Sequence, residues 1–191
     1  MGGCCLQPSI SRRHLDHTKS LGYFIKLCIP CYGNQDVCSK FIGCKLLPKT
    51  LSVDGFTIHT FEVPHNVPNN AFIIDTIDNV RILYITDTSG TTQHVEDVNC
   101  AIVEANWDAG TMFDNVLNDV ASKSNYSDHQ SLDKCIEYLK QIKTPALKTV
   151  VLWHLSSSNI NAIEAKKRVI NEVGIENVYV AQSGLTINLC K

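Results

Sequence analysis

Two imidazoles and a carboxylate fall within four residues at His14-Leu15-Asp16-His17, close to the start of the chain. Imidazole nitrogen and carboxylate oxygen are the ligands that borderline divalent cations such as zinc take. A short turn ahead of a helix can aim His14 one way and Asp16 with His17 another, so one segment can serve two neighbouring ions. Taken alone, such a cluster is an ordinary solvated loop. The weight comes from further along, where His65, Asp87, Glu104 and His154 each follow a short apolar run. Residues at strand ends along one edge of a sheet face a common crevice, so four such placements can converge although far apart in sequence.

The runs that must position these residues read as short strands alternating with helices. Leu21, Phe24, Ile25 and Cys28 fall at helical spacing, so residues 18–26 read as a helix, followed by a short buried strand over 29–32 and a second helix over 35–42. The lead-in holds one short strand over 6–11. From Leu47 the period changes to two, and a strand over 56–63 ends at Pro64-His65-Asn66. Residues 71–77 and 80–86 form a hairpin around Asp78-Asn79 that closes on Asp87-Thr88-Ser89-Gly90. A strand over 100–103 ends at Glu104-Ala105-Asn106-Trp107-Asp108, with helices over 110–121 and 131–142 after it. A buried strand over 150–153 ends at His154-Leu155-Ser156. The helix through Ile163, Ala165, Val169, Ile170 and Val173 stops at Gly174, and strands over 178–181 and 185–189 close the chain. This alternation, without repeats or a linker, gives a layered α/β architecture in one domain.

The chain has 191 residues, a formal net charge of −2 and 44% hydrophobic residues, enough for one domain with a real core. No apolar run approaches the ~20 residues a membrane span needs. The near-neutral balance argues against a broad nucleic-acid-binding surface and leaves room for a local basic groove. Met1-Gly2-Gly3-Cys4-Cys5-Leu6 lacks the basic and apolar regions of a signal peptide, and Leu6 stands where a myristoylation pattern requires Ser or Thr. The nine cysteines, an odd number, are therefore expected as reduced thiols in the cytoplasm. Cys28 and Cys31 form a C-x-x-C, with Cys38 and Cys44 beyond it. The later spacings are irregular, which favours buried small hydrophobes over a zinc knuckle.

The order of these pieces resembles that of the metallo-β-lactamase-fold hydrolases, and within them the YycJ/WalJ-type nuclease branch, with tRNase Z and RNase J more distant. The resemblance runs from about Ser11 to Leu189 and rests on five pieces. These are His14-Leu15-Asp16-His17, Val63-Pro64-His65, Ile85-Thr86-Asp87-Thr88, Glu104-Ala105-Asn106-Trp107-Asp108 and Trp153-His154-Leu155-Ser156-Ser157-Ser158-Asn159. It implies an αββα sandwich holding one or two divalent ions, zinc foremost, with manganese as the alternative. The family opens its metal motif as His-x-His-x-Asp-His, and here Arg12 occupies the place of the first His. By the resemblance, His14 and His65 belong to a first metal site, Asp16, His17 and His154 to a second, and Asp87 bridges them. Family members also carry several strands ahead of the motif. The roughly ten residues here cannot supply them, so residues 1–191 are expected to be a single domain lacking its first strands.

The activity this implies is metal-dependent hydrolysis of phosphodiester bonds, with nucleic acid or a small phosphodiester as substrate. The nuclease branches add a proton relay to the departing oxygen. Glu104 matches it, together with His129 in Ser127-Asp128-His129-Gln130-Ser131, which resembles the branch's Gly-His-Leu-Ser. A carboxylate that orients a histidine fixes its tautomer and raises its basicity. Asp16, Glu104 and His129 are thus the catalytic candidates. Two other readings stand beside this one. A hydrolase of a small ester or lactone would use the same fold without needing the relay. A degenerate, non-catalytic module would follow from Arg12, whose guanidinium offers no lone pair to a metal. His59, inside an alternating strand, and His94, in a polar turn, read as structural. Asn106 and Asp108 read as shaping the loop after Glu104, and residues 156–159 as capping the next helix.

Overall fold

The computed structural model describes residues 18–117 and 126–189. Arg12, His14, Asp16, His17 and the strand read over 6–11 lie outside the described residues, as does the end of the helix read over 110–121.

The first unit is small: α1 (Leu21–Lys26), β1 (Tyr32–Gly33), α2 (Gln35–Cys38) and β2 (Lys45–Leu46), with β1 and β2 paired in parallel. Leu21, Cys31 and Val37 form its core. Both early elements differ from expectation. Pro30 lacks the N–H a ladder needs, and the strand read over 29–32 is displaced to Tyr32–Gly33. The helix read over 35–42 stops at Cys38, where the Ser39 hydroxyl donates to the Asp36 carbonyl at 2.8 Å and Gly43 turns the chain at φ +97°. Cys28 is exposed rather than buried, whereas Cys31 is buried and Cys38 and Cys44 are half-buried. Burial, followed by the neighbouring Cys38 and Cys31, pushes the Cys44 thiol up to about 12.

The remainder is one seven-stranded sheet with its strands in sequence order. They are β3 (Thr50–Val53), β4 (Phe56–Val63), β5 (Asn69–Asp75), β6 (Arg81–Ile85), β7 (Cys100–Glu104), β8 (Thr149–Trp153) and β9 (Asn177–Val180). β3 to β6 pair antiparallel, and β6 to β9 pair parallel. The period-two segments make the antiparallel half. Asp54 and Gly55, both at positive φ, close the β3–β4 hairpin, because a turn with two left-handed residues matches the twist of its strands. β7 and β8 are buried along nearly their whole length, which is why their sequences run continuously apolar.

The crossovers carry α3 (Ala109–Leu117), α4 (Leu132–Ile142) and α5 (Ala162–Val173). Ser131 caps α4 by accepting from the Lys134 N–H. Cys135, Leu139 and Ile142 of α4, with Ala165 and Val169 of α5, pack on Leu83, Ile85, Ala101, Val103, Val150 and Leu152. Full burial of a side chain such as Leu139 stabilises the fold by roughly 1.5–3 kcal/mol.

Two expectations from the C-terminal half are corrected. The cap of α5 is Asn161, whose Oδ1 accepts from the Ile163 and Glu164 N–H groups, and not residues 156–159. There the Ser156 hydroxyl instead accepts from the Asn159 amide at 3.0 Å. Residues 185–189 form no strand, because the Gly184 turn carries the chain away from the open edge of β9. Asn188 and Leu189 line a cavity together with Asp78, Asn79 and Lys148, at the end of the sheet where β6 and β8 begin.

Candidate metal centre

Parallel pairing dictates what meets at one edge. β6, β7 and β8 end side by side, so Asp87, Glu104 and His154 stand in adjacent columns separated by about a strand spacing, roughly 4.8 Å. β4 runs in the same direction as β6, two places away, and delivers His65 to that edge. His129 arrives from the loop that opens α4. Trp107 Nε1–H donates to the His129 carbonyl at 3.0 Å, and the Gln130 side-chain amide donates to the Glu104 carbonyl at 3.0 Å. The Asn106 N–H adds a bond to the Gln130 carbonyl.

Asp87, Glu104, His129 and His154 offer ligand atoms that all lie within 4.8 Å of one another. Asp87 is 1% and Glu104 0% exposed. Glu104 Oε1 accepts from His129 Nδ1 at 2.7 Å and from His154 Nδ1 at 2.9 Å, and its Oε2 accepts from the Thr88 N–H at 2.7 Å. Asp87 Oδ1 lies 3.2 Å from His154 Nδ1 and 4.0 Å from His129 Nδ1. The His129 ring sits 5.1 Å from that of His154 and 5.6 Å from that of His65, centroid to centroid. His65 donates from Nδ1 to the Asp128 carbonyl at 2.9 Å, which puts the ring's lone pair on Nε2. Burial, with Asp87 and Glu104 close by, pushes the Tyr84 phenol well above its usual value.

Asp87 and His154 share a backbone feature, with φ values of +50° and +54°. Residues other than glycine take this left-handed conformation rarely, at a cost on the order of 1–3 kcal/mol. It turns each side chain out of the strand alternation at the point where the strand stops.

The donor set fits a divalent metal. Two carboxylates taken out of water are costly unless a cation compensates them, and the only cationic candidates among the four clustered side chains are two imidazoles. Carboxylate oxygen with imidazole nitrogen is also the mixture zinc and manganese accept. Of the sequence candidates, the structure brings together Asp87, Glu104, His129 and His154, with His65 adjacent. His14, Asp16 and His17 lie outside the described residues. His59 lies on β4 with its Nδ1 3.1 Å from the Thr50 hydroxyl, and His94 is exposed in a loop. Asp108 accepts from the Thr111 N–H and from Arg168, holding the start of α3. The sequence pattern assigns no role to Asn69, Thr88 or Gln130, which bond to the chain around the cluster. The Asn69-Asn70 pair directly ahead of the apolar run 71–74 is a cue that could have marked Asn69.

No protein-family model and no curated protein matches the sequence. Solved structures do match it. The metallo-β-lactamase fold protein YhfI from Bacillus subtilis superposes with a TM-score of 0.70 at 18% identity, covering 93% of this chain and 75% of that one. Human tRNase Z, short form, gives 0.62 at 15% identity, covering 96% and 78%. A diphosphatase from the PhnP family gives 0.64 at 14% identity, covering 93% and 68%. The fold of this chain is therefore the metallo-β-lactamase fold. Its buried carboxylate–histidine cluster occupies the edge where the parallel strands end. Among the described residues, no helix is long and apolar enough to cross a membrane.

Proposed function

We propose that this chain is a metal-dependent hydrolase of phosphodiester bonds, nuclease-like in substrate class, of the YycJ/WalJ type. Asp87, His154 and His65 hold the metal, with zinc preferred over manganese, and His14, Asp16 and His17 complete the ligand set. The observation that carries the reading is one carboxylate oxygen, Glu104 Oε1, placed 2.7 Å from His129 Nδ1 and 2.9 Å from His154 Nδ1. Both Glu104 oxygens are engaged by protein donors, which suits an orienting group better than a ligand.

A divalent ion at this centre, when bound, supplies charge stabilisation for the phosphoryl oxygens. The protein's own residues do the rest. Glu104 holds the N–H of His129 at Nδ1 and stabilises the imidazolium form of the ring, whose second proton, on Nε2, is the one the departing alkoxide takes up. A lactone opens without needing such a donor, which favours the phosphodiester. That tRNase Z and a diphosphatase share the fold supports the same substrate class. We further read the chain as one cytoplasmic metallo-β-lactamase-like domain. Asp16 is assigned a catalytic role by the resemblance alone.

The test is hydrolysis of bis(p-nitrophenyl) phosphate and of a short RNA, with a simple lactone alongside, under added zinc or manganese. Metal-dependent cleavage of the phosphodiesters, lost with a chelator and reduced in His129→Ala, is expected. Lactone cleavage without phosphodiester cleavage would overturn the reading. The non-catalytic alternative draws on Arg12, and it gains if metal binds tightly without turnover and Arg12→His then restores cleavage.

A further inference from the structure

We infer that Asn69 and Asn106 are positioning residues that lock the main chain of two metal ligands in the conformation aiming them at the centre. The inference rests on the metal reading above. Asp87 and His154 both leave their strands at positive φ, and no hairpin closes at either one, unlike at Asp54 and Asn79. Had the strand continued, each side chain would follow the ordinary alternation between faces and miss the crevice. Something must hold these two residues in place. In both cases it is a carboxamide closing on the ligand's own carbonyl.

Asn69 Nδ2 donates to the Asp87 carbonyl at 2.7 Å and to the Thr86 carbonyl at 2.8 Å. Asn106 Nδ2 donates to the His154 carbonyl at 2.8 Å. Both amides stand at the sheet edge that carries the cluster, Asn69 opening β5 and Asn106 two residues beyond β7. Asn69 is 2% and Asn106 6% exposed. Asn106 also crosses between loops, with its N–H on the Gln130 carbonyl and its own carbonyl accepting from the Ser156 N–H. It thereby links the ends of β7 and β8 to the segment that carries His129.

Asn69 gives the clearest sign that the amide serves the ligand and not the packing. Its Oδ1 is buried with no hydrogen-bond partner among the described residues. A buried acceptor left unmade is a cost that an apolar residue of the same shape would avoid. An amide retained at that cost is explained by its donor, and the donor is spent on Thr86 and Asp87. Outer partners of this kind orient ligands and typically change metal affinity about 10- to 100-fold when removed.

Near-isosteric Asn69→Leu and Asn106→Leu variants of the full chain test this. Zinc affinity is measured by competition with a chelating dye, ligand geometry by the visible absorption of the cobalt-loaded protein, and folding by circular dichroism of the metal-free form. Both variants should stay folded, with at most a modest loss of heat stability without metal, because the carbonyls that the amides served lose a donor. Zinc affinity should fall about 10- to 100-fold in each, with a shifted cobalt band. Unchanged affinity and spectrum in folded variants would overturn the inference while leaving the metal reading intact. Unfolding of both variants would overturn it too, since the amides would then serve the fold. A wild-type chain that takes up neither metal would remove the metal reading and this inference together.

Discussion

Nδ1 of His129 lies 2.7 Å from Oε1 of Glu104, although 25 residues separate them in sequence. The segment ahead of α4 carries His129 there, held by the Gln130 amide on the Glu104 carbonyl, and the pairing register brings a second imidazole. Glu104 pairs with Trp153 across β7 and β8, so His154 follows one step beyond, and the same oxygen reaches its Nδ1 as well. One carboxylate therefore orients two imidazoles from two loops.

Glu104→Gln tests what that oxygen does. The amide keeps the shape and can still accept a hydrogen bond, but it no longer stabilises an imidazolium. Cleavage of bis(p-nitrophenyl) phosphate should fall about 10²- to 10⁴-fold in kcat, the range that general acid catalysis contributes. KM should move little, because the substrate need not touch Glu104. A large KM change with kcat preserved would point to a binding role instead.

Metal should be visible as stability. An ion that binds the folded chain and not the unfolded one adds ~2.7 kcal/mol at a free concentration one hundred times its dissociation constant. For a chain of this size that raises Tm by roughly 5–10 °C. Differential scanning fluorimetry with zinc, with manganese and with a chelator would measure it. A Tm indifferent to all three would argue that Asp87, His154 and His65 hold no ion.

The edge of the sheet was legible because its chemistry is local: a short apolar run followed by His, Asp or Glu marks a strand end whatever the topology. His65, Asp87, Glu104 and His154 all carried that mark, and the structure places them on one edge. The helical spacing of Leu132, Cys135, Ile136 and Leu139 was equally plain, since one buried stripe defines α4. What the pattern misjudged were segments decided by their neighbours. Residues 185–189 alternate like a strand, but the Gly184 turn sets their course and they do not join the open edge of β9. Residues 39–42 look helical until Ser39 turns its hydroxyl onto the main chain. Asn69 was missed because nothing in its own surroundings announces the carbonyl it serves, 18 residues away.

Alkaline pH should weaken the fold. Burial pushes the Cys135 thiol from 9.0 to about 12 and the Cys100 thiol from 9.0 to about 11. Between these limits the unfolded chain has lost protons that the folded chain retains. Stability is thus fully present below pH 9 and falls as pH rises, by up to about 1.4 kcal/mol per pH unit for a fully buried thiol. Urea midpoints at pH 8 and pH 10.5 should differ accordingly. Replacing Cys135 with Ala should flatten the slope while lowering stability at pH 8 through the lost packing. A slope unchanged in Cys135→Ala would assign the effect to other groups.

The position of His129 depends on the short stretch between the 3-10 turn Tyr126–Asp128 and α4, so its anchors should matter to rate more than to stability. Trp107 Nε1–H donates to the His129 carbonyl at 3.0 Å, and the Trp107 carbonyl accepts from Leu132 N–H at the first turn of α4. Trp107→Phe keeps the main-chain bond and most of the ring while removing the Nε1–H. A neutral hydrogen bond is worth ~1 kcal/mol, so kcat should drop roughly 5- to 10-fold if the bond holds His129 in register. The unfolding free energy should change by no more than about the same ~1 kcal/mol. Leu139→Ala supplies the contrast: it opens the core beneath α4 and should cost about 2–5 kcal/mol, with kcat of the remaining folded protein nearly unchanged. Comparing kcat per folded molecule in the two variants separates them. Equal kcat in Trp107→Phe and wild type would mean that Gln130 and Asn106 hold the loop without the indole.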